Sequence, residues 1–523
     1  MLVIEASKSA FYRGSAVAAC LAAAGLVSGT SASAQLSQPW TWCVNKEKAS
    51  PDVQIKGCTS VIGSGKETPK NLSVAYNNRG NGYRTKGDND RAIADYNESI
   101  RLDPNYAYPY NGRGNAYRAR GENDRAIADY SQSMRLDAKY ASPHNGRANS
   151  YRDKGDNDRA LAEYNEAIRL DPRYSLAYNG RGNTYLDKKE YDRAIADYSQ
   201  SIALDPNYDS PHNGRGNAYR SKGDVDTALA DYTEAIRLAP KSALPYNGRG
   251  NVYFDKKDYD RAIAEYNEAI RLDAKYATAF NNRGLAYSRK SDYDRAIADY
   301  SDAIRVDPKY AVAYDNRGDA YRGKRDYDRA AADYSEAIRI DPKYAVAYND
   351  RGDTYRLKGD NDRAIADYEE ALRLNPKYAA ALNNRSTAYE NKGQYDRAVA
   401  GYDQLVEMQP TNANWWNYRC WDRAILGRLE AALTDCDESL RLRPNDASTL
   451  DSRGLAYLKL GQLEKAIADY DAALKTNPEL ASSLYGRGTA KLKKRDSTGA
   501  ADITAAKAIK SGIAEDYAKY GVK

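Results

Sequence analysis

Residues 73–106 read SVAYNNRGNGYRTKGDNDRAIADYNESIRLDPNY, and this 34-residue sentence then repeats without insertion or deletion to about Ala514. Its landmark is Arg79. The matching arginine recurs 34 residues on each time, at Arg113, Arg147, Arg181, Arg215, Arg249, Arg283, Arg317, Arg351, Arg385, Arg419, Arg453 and Arg487, giving 13 copies. A period of this size reads as a solenoid of stacked helical hairpins, in which each repeat buries its face only against its neighbours. Such an array offers a long groove and no catalytic pocket. The sequence therefore says that the protein works by binding, before it says what is bound.

Within one copy, Tyr76, Gly80 and Tyr83 fall at helical spacing on one face. Lys86-Gly87-Asp88 is a break: Gly closes one helix in the left-handed conformation and Asp caps the next. Ala92, Ile93, Tyr96, Ser99, Ile100 and Leu102 mark a second helix, which Asp103-Pro104 ends. Helices of about 12–14 residues do not persist alone in water, so each needs packing on its partner and on the next repeat. The Ala92 position is Ala in every copy, ending at Ala500, and the exceptions at the Gly80 position are small: Ala148, Ser386 and Cys420. Small residues on two facing helices predict close backbone approach, with the Tyr83 and Tyr96 rings filling the space on either side. Tyr in place of Phe requires a partner for each hydroxyl.

Tyr76-x-x-Arg79-Gly80-x-x-Tyr83, then Ala92-x-x-x-Tyr96, then Pro104, resembles the tetratricopeptide-repeat pattern over nearly the whole chain. The resemblance implies an all-α, right-handed superhelical solenoid of antiparallel helix-turn-helix repeats. One departure is systematic: the family usually has Leu where this chain has Arg79 and its counterparts. A buried Arg needs a partner. The position of Asp95, Asp129, Glu163 and Asp197 offers one, although Asp95 also lies four residues after Arg91 and is within reach of it.

The ends differ from the array. Residues 1–34 read as a secretory signal: Lys8 and Arg13, an apolar run from Ala16 to Val27, then Ser31-Ala32-Ser33-Ala34 before Gln35. A competing reading is a lipoprotein signal through Val17-Ala18-Ala19-Cys20, against which the apolar run continues past Cys20. Either reading puts the mature chain in the periplasm or outside the cell. Residues 35–72 form a degenerate cap, in which Ile55, Cys58 and Ile62 mimic Ile93, Tyr96 and Ile100; residues 73–514 are the array, and 515–523 a tail, with Ile513 to Tyr520 as a covering helix. After Cys20 leaves, Cys43, Cys58, Cys420 and Cys436 remain, an even count that suits two disulfides in an exported chain, with four buried thiols as the alternative. Cys420 takes the Gly80 position and Cys436 the Tyr96 position, which face each other across a hairpin. Trp415-Trp416-Asn417-Tyr418-Arg419-Cys420-Trp421 is the sharpest internal departure, a structural junction or a hydrophobic partner site.

The family resemblance implies that the first helix of each repeat lines the groove. Asn77, Asn111, Asn145, Asn179, Asn213, Asn247, Asn281, Asn349, Asn383 and Asn417 form a ladder there. Asn offers a donor and an acceptor, so the ladder would clamp an extended peptide backbone. A second row, Asn81, Asn115, Asn149, Asn183, Asn217 and Asn251, covers the first half only. Arg84, Arg118, Arg152, Arg220, Arg322 and Arg356 add positive charge and would suit an acidic peptide or a carboxylate terminus. Asp315, Asp319 and Asp353 replace Asn further on. The alternative is that these positions are solvated surface copied by duplication.

Other function classes are disfavoured. The formal net charge of +6 falls short of a nucleic-acid binder, and a strict 34-residue period with an export signal argues against an RNA-binding helical repeat. No nucleophile motif, phosphate loop or metal cluster appears, so no enzyme activity, cofactor or metal is expected. The two histidines, His144 and His212, occupy the Tyr76 position and read as packing. The expected function is a non-enzymatic scaffold or adaptor that binds a protein or peptide in the groove. The alternative is an envelope or exopolysaccharide assembly factor contacting a glycan or a glycan-processing enzyme.

Overall fold

The computed structural model describes residues 37–45 and 49–522. The signal segment 1–34, with Cys20, and Gln35 lie outside the described residues. Among the described residues there are 29 helices and no strand. They divide into two compact units, residues 1–282 and 283–523, the division falling inside the helix Ala277–Arg289. In each unit antiparallel helical hairpins stack on one another in chain order.

The break inside each hairpin has the geometry its residues demand. After the helix Pro69–Thr85, Gly87 sits at φ +80°, its N–H donates to the Arg84 carbonyl and the Asp88 N–H donates back to the Tyr83 carbonyl. The left-handed residue and the long back-bond together satisfy the last carbonyls of the helix. Asp88 then caps the next helix, Asn89–Leu102, by accepting from the Arg91 N–H at 3.1 Å. Lys189, Lys257, Ser291 and Arg325 occupy the Gly87 position at φ +60° to +62°. The turn therefore imposes its conformation even where no glycine relieves the strain.

The core of a repeat is one tyrosine, except where Cys436 and Thr504 take its position. Tyr96 is fully buried, and a Cβ added to Gly80 would lie 2.8 Å from its Cε1 atom. A Cβ added to Gly112, in the following repeat, would lie 2.5 Å from the same atom. The ring is thus clasped between glycines of successive repeats. Gly80 serves less to bring two backbones together, as the sequence predicts, than to seat this ring. The hydroxyl also finds its partner: Tyr96, Tyr130, Tyr164, Tyr198, Tyr232 and Tyr266 donate to Asn81, Asn115, Asn149, Asn183, Asn217 and Asn251 at 2.7–2.9 Å.

The arginine landmark is an interhelical ion-pair ladder. Arg181 donates from Nε and Nη2 to the two oxygens of Asp197, both at 2.7 Å, and from Nη1 to Asn165 in the preceding repeat. The same fork joins Arg79 to Asp95, so the competing partner Arg91 is left to the capping Asp88. Arg385 is the exception among the copies, because its acidic position is Gly401. The last hairpin slips by one residue. Arg487 pairs with Asp502, one position early, and Gly499 is buried where the register expects Ala500, which is exposed. A Cβ on Gly488 would lie 2.7 Å from the Gly499 carbonyl oxygen, so the slip sets the smallest residue at the closest approach.

In the first unit the short helix Gln38–Cys43 packs on Pro51–Gly63, and the sulfurs of Cys43 and Cys58 are bonded. In the second unit Cys420 is bonded to Cys436 within one hairpin. The final helix Ile513–Lys519 buries Tyr517, whose hydroxyl donates to the Ser482 carbonyl at 2.7 Å.

Candidate functional site

The asparagine ladder lies between neighbouring first helices and is less open than the sequence predicts. Asn77, Asn111, Asn179, Asn247, Asn281, Asn349 and Asn417 are buried, while Asn145, Asn213 and Asn383 are half-buried. Asn111 donates from Nδ2 to the Tyr140 hydroxyl at 2.9 Å, and Asn179 likewise to Tyr208 at 3.1 Å. Asn247 and Asn349 accept from Asn282 and Asn384. These amides tie one repeat to the next, Asn111 and Asn179 through their donors and Asn247 and Asn349 through their acceptors. Their acceptors are not all spent: the side-chain oxygens of Asn111, Asn145, Asn179, Asn213 and Asn383 are buried without a hydrogen-bond partner.

Three arginines of the row are neutralised from within. Arg118, Arg152 and Arg220 donate to Asp153, Asp187 and Asp255, each 35 residues on, at 2.6–2.8 Å. At these positions the positive groove expected to favour an acidic peptide is instead a set of ion pairs between successive first helices.

The second unit departs from this plan. Its first helices Ala311–Gly323 and Ala345–Leu357 end in Gly323 and Leu357, where the earlier repeats place the pairing acids Asp153 and Asp187. Arg322 turns inward instead, donating to Asp319 at 2.7 Å and Asp353 at 2.9 Å, with Asp350 at 3.8 Å. Arg356 donates to Asp353 at 2.6 Å. Asp315 completes the group: its Oδ2 accepts from the Tyr344 hydroxyl at 3.0 Å, and its Oδ1 is buried without a partner. Four carboxylates thus face two guanidiniums. Burial first, and the neighbouring Asp350 and Asp319 next, hold the Asp315 carboxyl well above the usual range. Burial, then Asp319, pushes Asp350 up to about 7. Sequence reasoning found Asp315, Asp319 and Asp353 but missed Asp350. The signal was there, since Asp350 stands where Gly112, Gly146 and Gly180 clasp the tyrosine ring.

A second carboxyl pair escaped the sequence reading. Asp422 is fully buried with both oxygens lacking an ordinary hydrogen-bond donor, beside Glu390, which accepts from the Tyr402 hydroxyl at 2.7 Å. Burial, then Glu390, pushes Asp422 up to about 9. The tryptophans of the same helix, Ala413–Ile425, are tied down: Trp415 donates to Gln409, Trp416 donates to the Pro410 carbonyl, and Trp421 meets Tyr520 edge-on. His144 and His212 join the ion-pair ladder, bonding Glu163 and Asp231. Among the described residues no group of His, Cys, Asp or Glu is arranged to hold a metal ion, and no helix is long and apolar enough to cross a membrane.

Comparison with known proteins agrees with this architecture. A family model described as TPR repeat matches residues 80–117, 114–151, 216–257, 250–291, 318–355, 352–393 and 454–494. Two described as tetratricopeptide repeat match residues 145–209 and 387–447, and residues 277–310. No curated protein matches the chain. Among solved structures the chain is similar to the APC/C hetero-tetramer Cut9–Hcn1, at 15% identity over 80% of this chain and 96% of that one, TM-score 0.43. It is similar to yeast Tom70, at 16% identity over 75% and 96%, TM-score 0.38. It is also similar to MamA, at 29% identity over 31% and 96%, TM-score 0.29.

Proposed function

From a chain that belongs to the tetratricopeptide-repeat family, we propose a non-enzymatic adaptor that holds an extended segment of a partner protein along its first helices. The observation that carries this reading is the row of unspent acceptors, one on each of the successive repeats at Asn111, Asn145, Asn179 and Asn213. A buried acceptor without a partner costs about 1–3 kcal/mol, which a donor from a bound chain would recover. The donors of Asn111 and Asn179 are held by Tyr140 and Tyr208, which orders that part of the face in advance and leaves less freedom to be lost on binding. We further propose that the mature protein is exported and carries both disulfides, a reading supported by the signal-like segment 1–34 and the two bonded cysteine pairs.

The test is photo-crosslinking in the native host, with the reactive residue placed at Asp153 on a first helix or at Glu166 on a second helix. Capture of one protein from Asp153 and not from Glu166 supports the reading. Capture from Glu166 alone moves the site to the other face and refutes it. Fractionation and thiol alkylation of the same cells test export: thiols alkylated without prior reduction, or a cytoplasmic location, contradict it.

A further inference from the structure

We propose that the crevice formed by Asp315, Asp319, Asp350 and Asp353 receives a cationic side chain, a guanidinium or an ammonium, from the polypeptide bound along the second unit. This deepens the adaptor reading and rests on it. The argument begins with what the crevice replaces. In the first unit the equivalent surface carries Asn111, Asn115, Gly146 and Asn149, and its arginine, Arg118, is matched by Asp153. In the second unit all four positions become Asp, while the outer acid is lost to Leu357. Arg322 and Arg356 are drawn in as internal counterions, and they supply two guanidiniums against four carboxyl groups.

The excess is localised. Asp319 and Asp353 are both engaged by the arginines, and Asp319 also accepts from the Tyr334 hydroxyl at 2.8 Å. Asp350 has only an amide at 3.3 Å, from Asn349, and an arginine at 3.8 Å. Asp315 has one phenol on Oδ2 and nothing on Oδ1, although the residue is only 4% exposed. An unpartnered carboxylate oxygen in so buried a place is costly unless a positive donor completes it. The lip of the crevice is Asp319, whose side chain is 42% exposed. A flexible basic side chain would enter past this residue and place its charged head against Asp350 and Asp315. A guanidinium fits best, because its fork offers several donors to two carboxylates at once.

The experiment uses the full-length mature protein and two fluorescein-labelled nonapeptides. One carries arginine at the centre of an Ala/Ser sequence; the other carries citrulline, which has the same shape and no charge. Fluorescence anisotropy at pH 7.5 should show the arginine peptide binding at least tenfold more tightly than the citrulline peptide. Asp315→Asn/Asp350→Asn should lose that preference. These substitutions remove buried charge, so the variant should keep its thermal melt, and Glu166→Gln, on the second helix Asn157–Leu170 of the first unit, serves as a charge-removing variant that leaves the preference intact. Equal binding of the two peptides, or a preference unchanged in Asp315→Asn/Asp350→Asn, overturns the assignment. Absence of binding by either peptide overturns it as well. The adaptor reading falls with it only if crosslinking at Asp153 has also failed, so the two failures are told apart.

Discussion

Removing Arg181 should expose how much of the fold rests on the ion-pair ladder. Its side chain is 20% exposed and that of Asp197 8% exposed, and two 2.7 Å hydrogen bonds join them. Arg181→Leu leaves the Asp197 carboxylate buried and unpaired, a change that costs about 3–5 kcal/mol in comparable pairs. The arginine is partly solvated, so the lower end, about 3 kcal/mol, is expected. Solenoid stability is local, so a single global melt would blur the effect. Native-state hydrogen exchange of the helices Ser175–Asp187 and Tyr191–Leu204 reads it directly. Exchange there should accelerate by roughly 150-fold, the rate equivalent of that energy. Replacing both partners, as Arg181→Leu/Asp197→Leu, should return exchange to within roughly tenfold of the natural protein, because no charge then loses its hydration on folding. If Arg181→Leu exchanges within about threefold of the natural protein, or the double variant is as labile as the single one, the ladder is not structural and the reasoning fails.

Three further outcomes follow from the same geometry. Gly214→Ala would put a Cβ 2.6 Å from two ring carbons of the buried Tyr198, so a net loss of about 1–2 kcal/mol is expected despite the better helix propensity, whereas Gly63→Ala, with open space around it, should be neutral or stabilising by up to about 1 kcal/mol; equal effects on denaturant midpoints would contradict the clasp. The raised pKa of Asp422, about 9, means that its contribution to stability is present at low pH and is lost as pH climbs from 3.8 through 9. Asp422→Asn should therefore gain on the natural protein between pH 5 and pH 9 when unfolding is followed by the nearby tryptophans, and a difference that stays flat over that range would sink the claim. Reduction should weaken the hairpins stapled by Cys43–Cys58 and Cys420–Cys436 by about 3 kcal/mol each. Trp40 and Trp42 report on one and Trp415, Trp416 and Trp421 on the other, and unfolding of either signal unmoved by dithiothreitol would show that its bridge contributes nothing.

The sequence by itself determined the period, the all-helical hairpin and the turn at Gly87-Asp88, whereas it read the small residues as a close approach of backbones and not as the seat of a tyrosine ring. The first three are local or strictly periodic properties: helix spacing, caps and repeat register are written within a few residues and copied 34 residues on. It also named Asp95 and its counterparts as partners for the arginines, because a buried guanidinium leaves few choices. Only the tertiary structure decided which side of each periodic row is spent. Asn111 and Asn179 occupy positions that read as free groove, yet the following repeat supplies Tyr140 and Tyr208 to take their donors. Arg118 reads as positive surface until Asp153 arrives from the next first helix. The one-residue slip at Gly499 is equally invisible in the repeat, since it follows from the distance between two backbones. The physical reason is common to all three. A sequence repeat fixes what each position presents, but burial, hydrogen bonding and charge balance depend on the residue it meets across the interface, and that partner lies well outside the local segment, 11 residues away for Gly488 and Gly499 and about 30 for the other two.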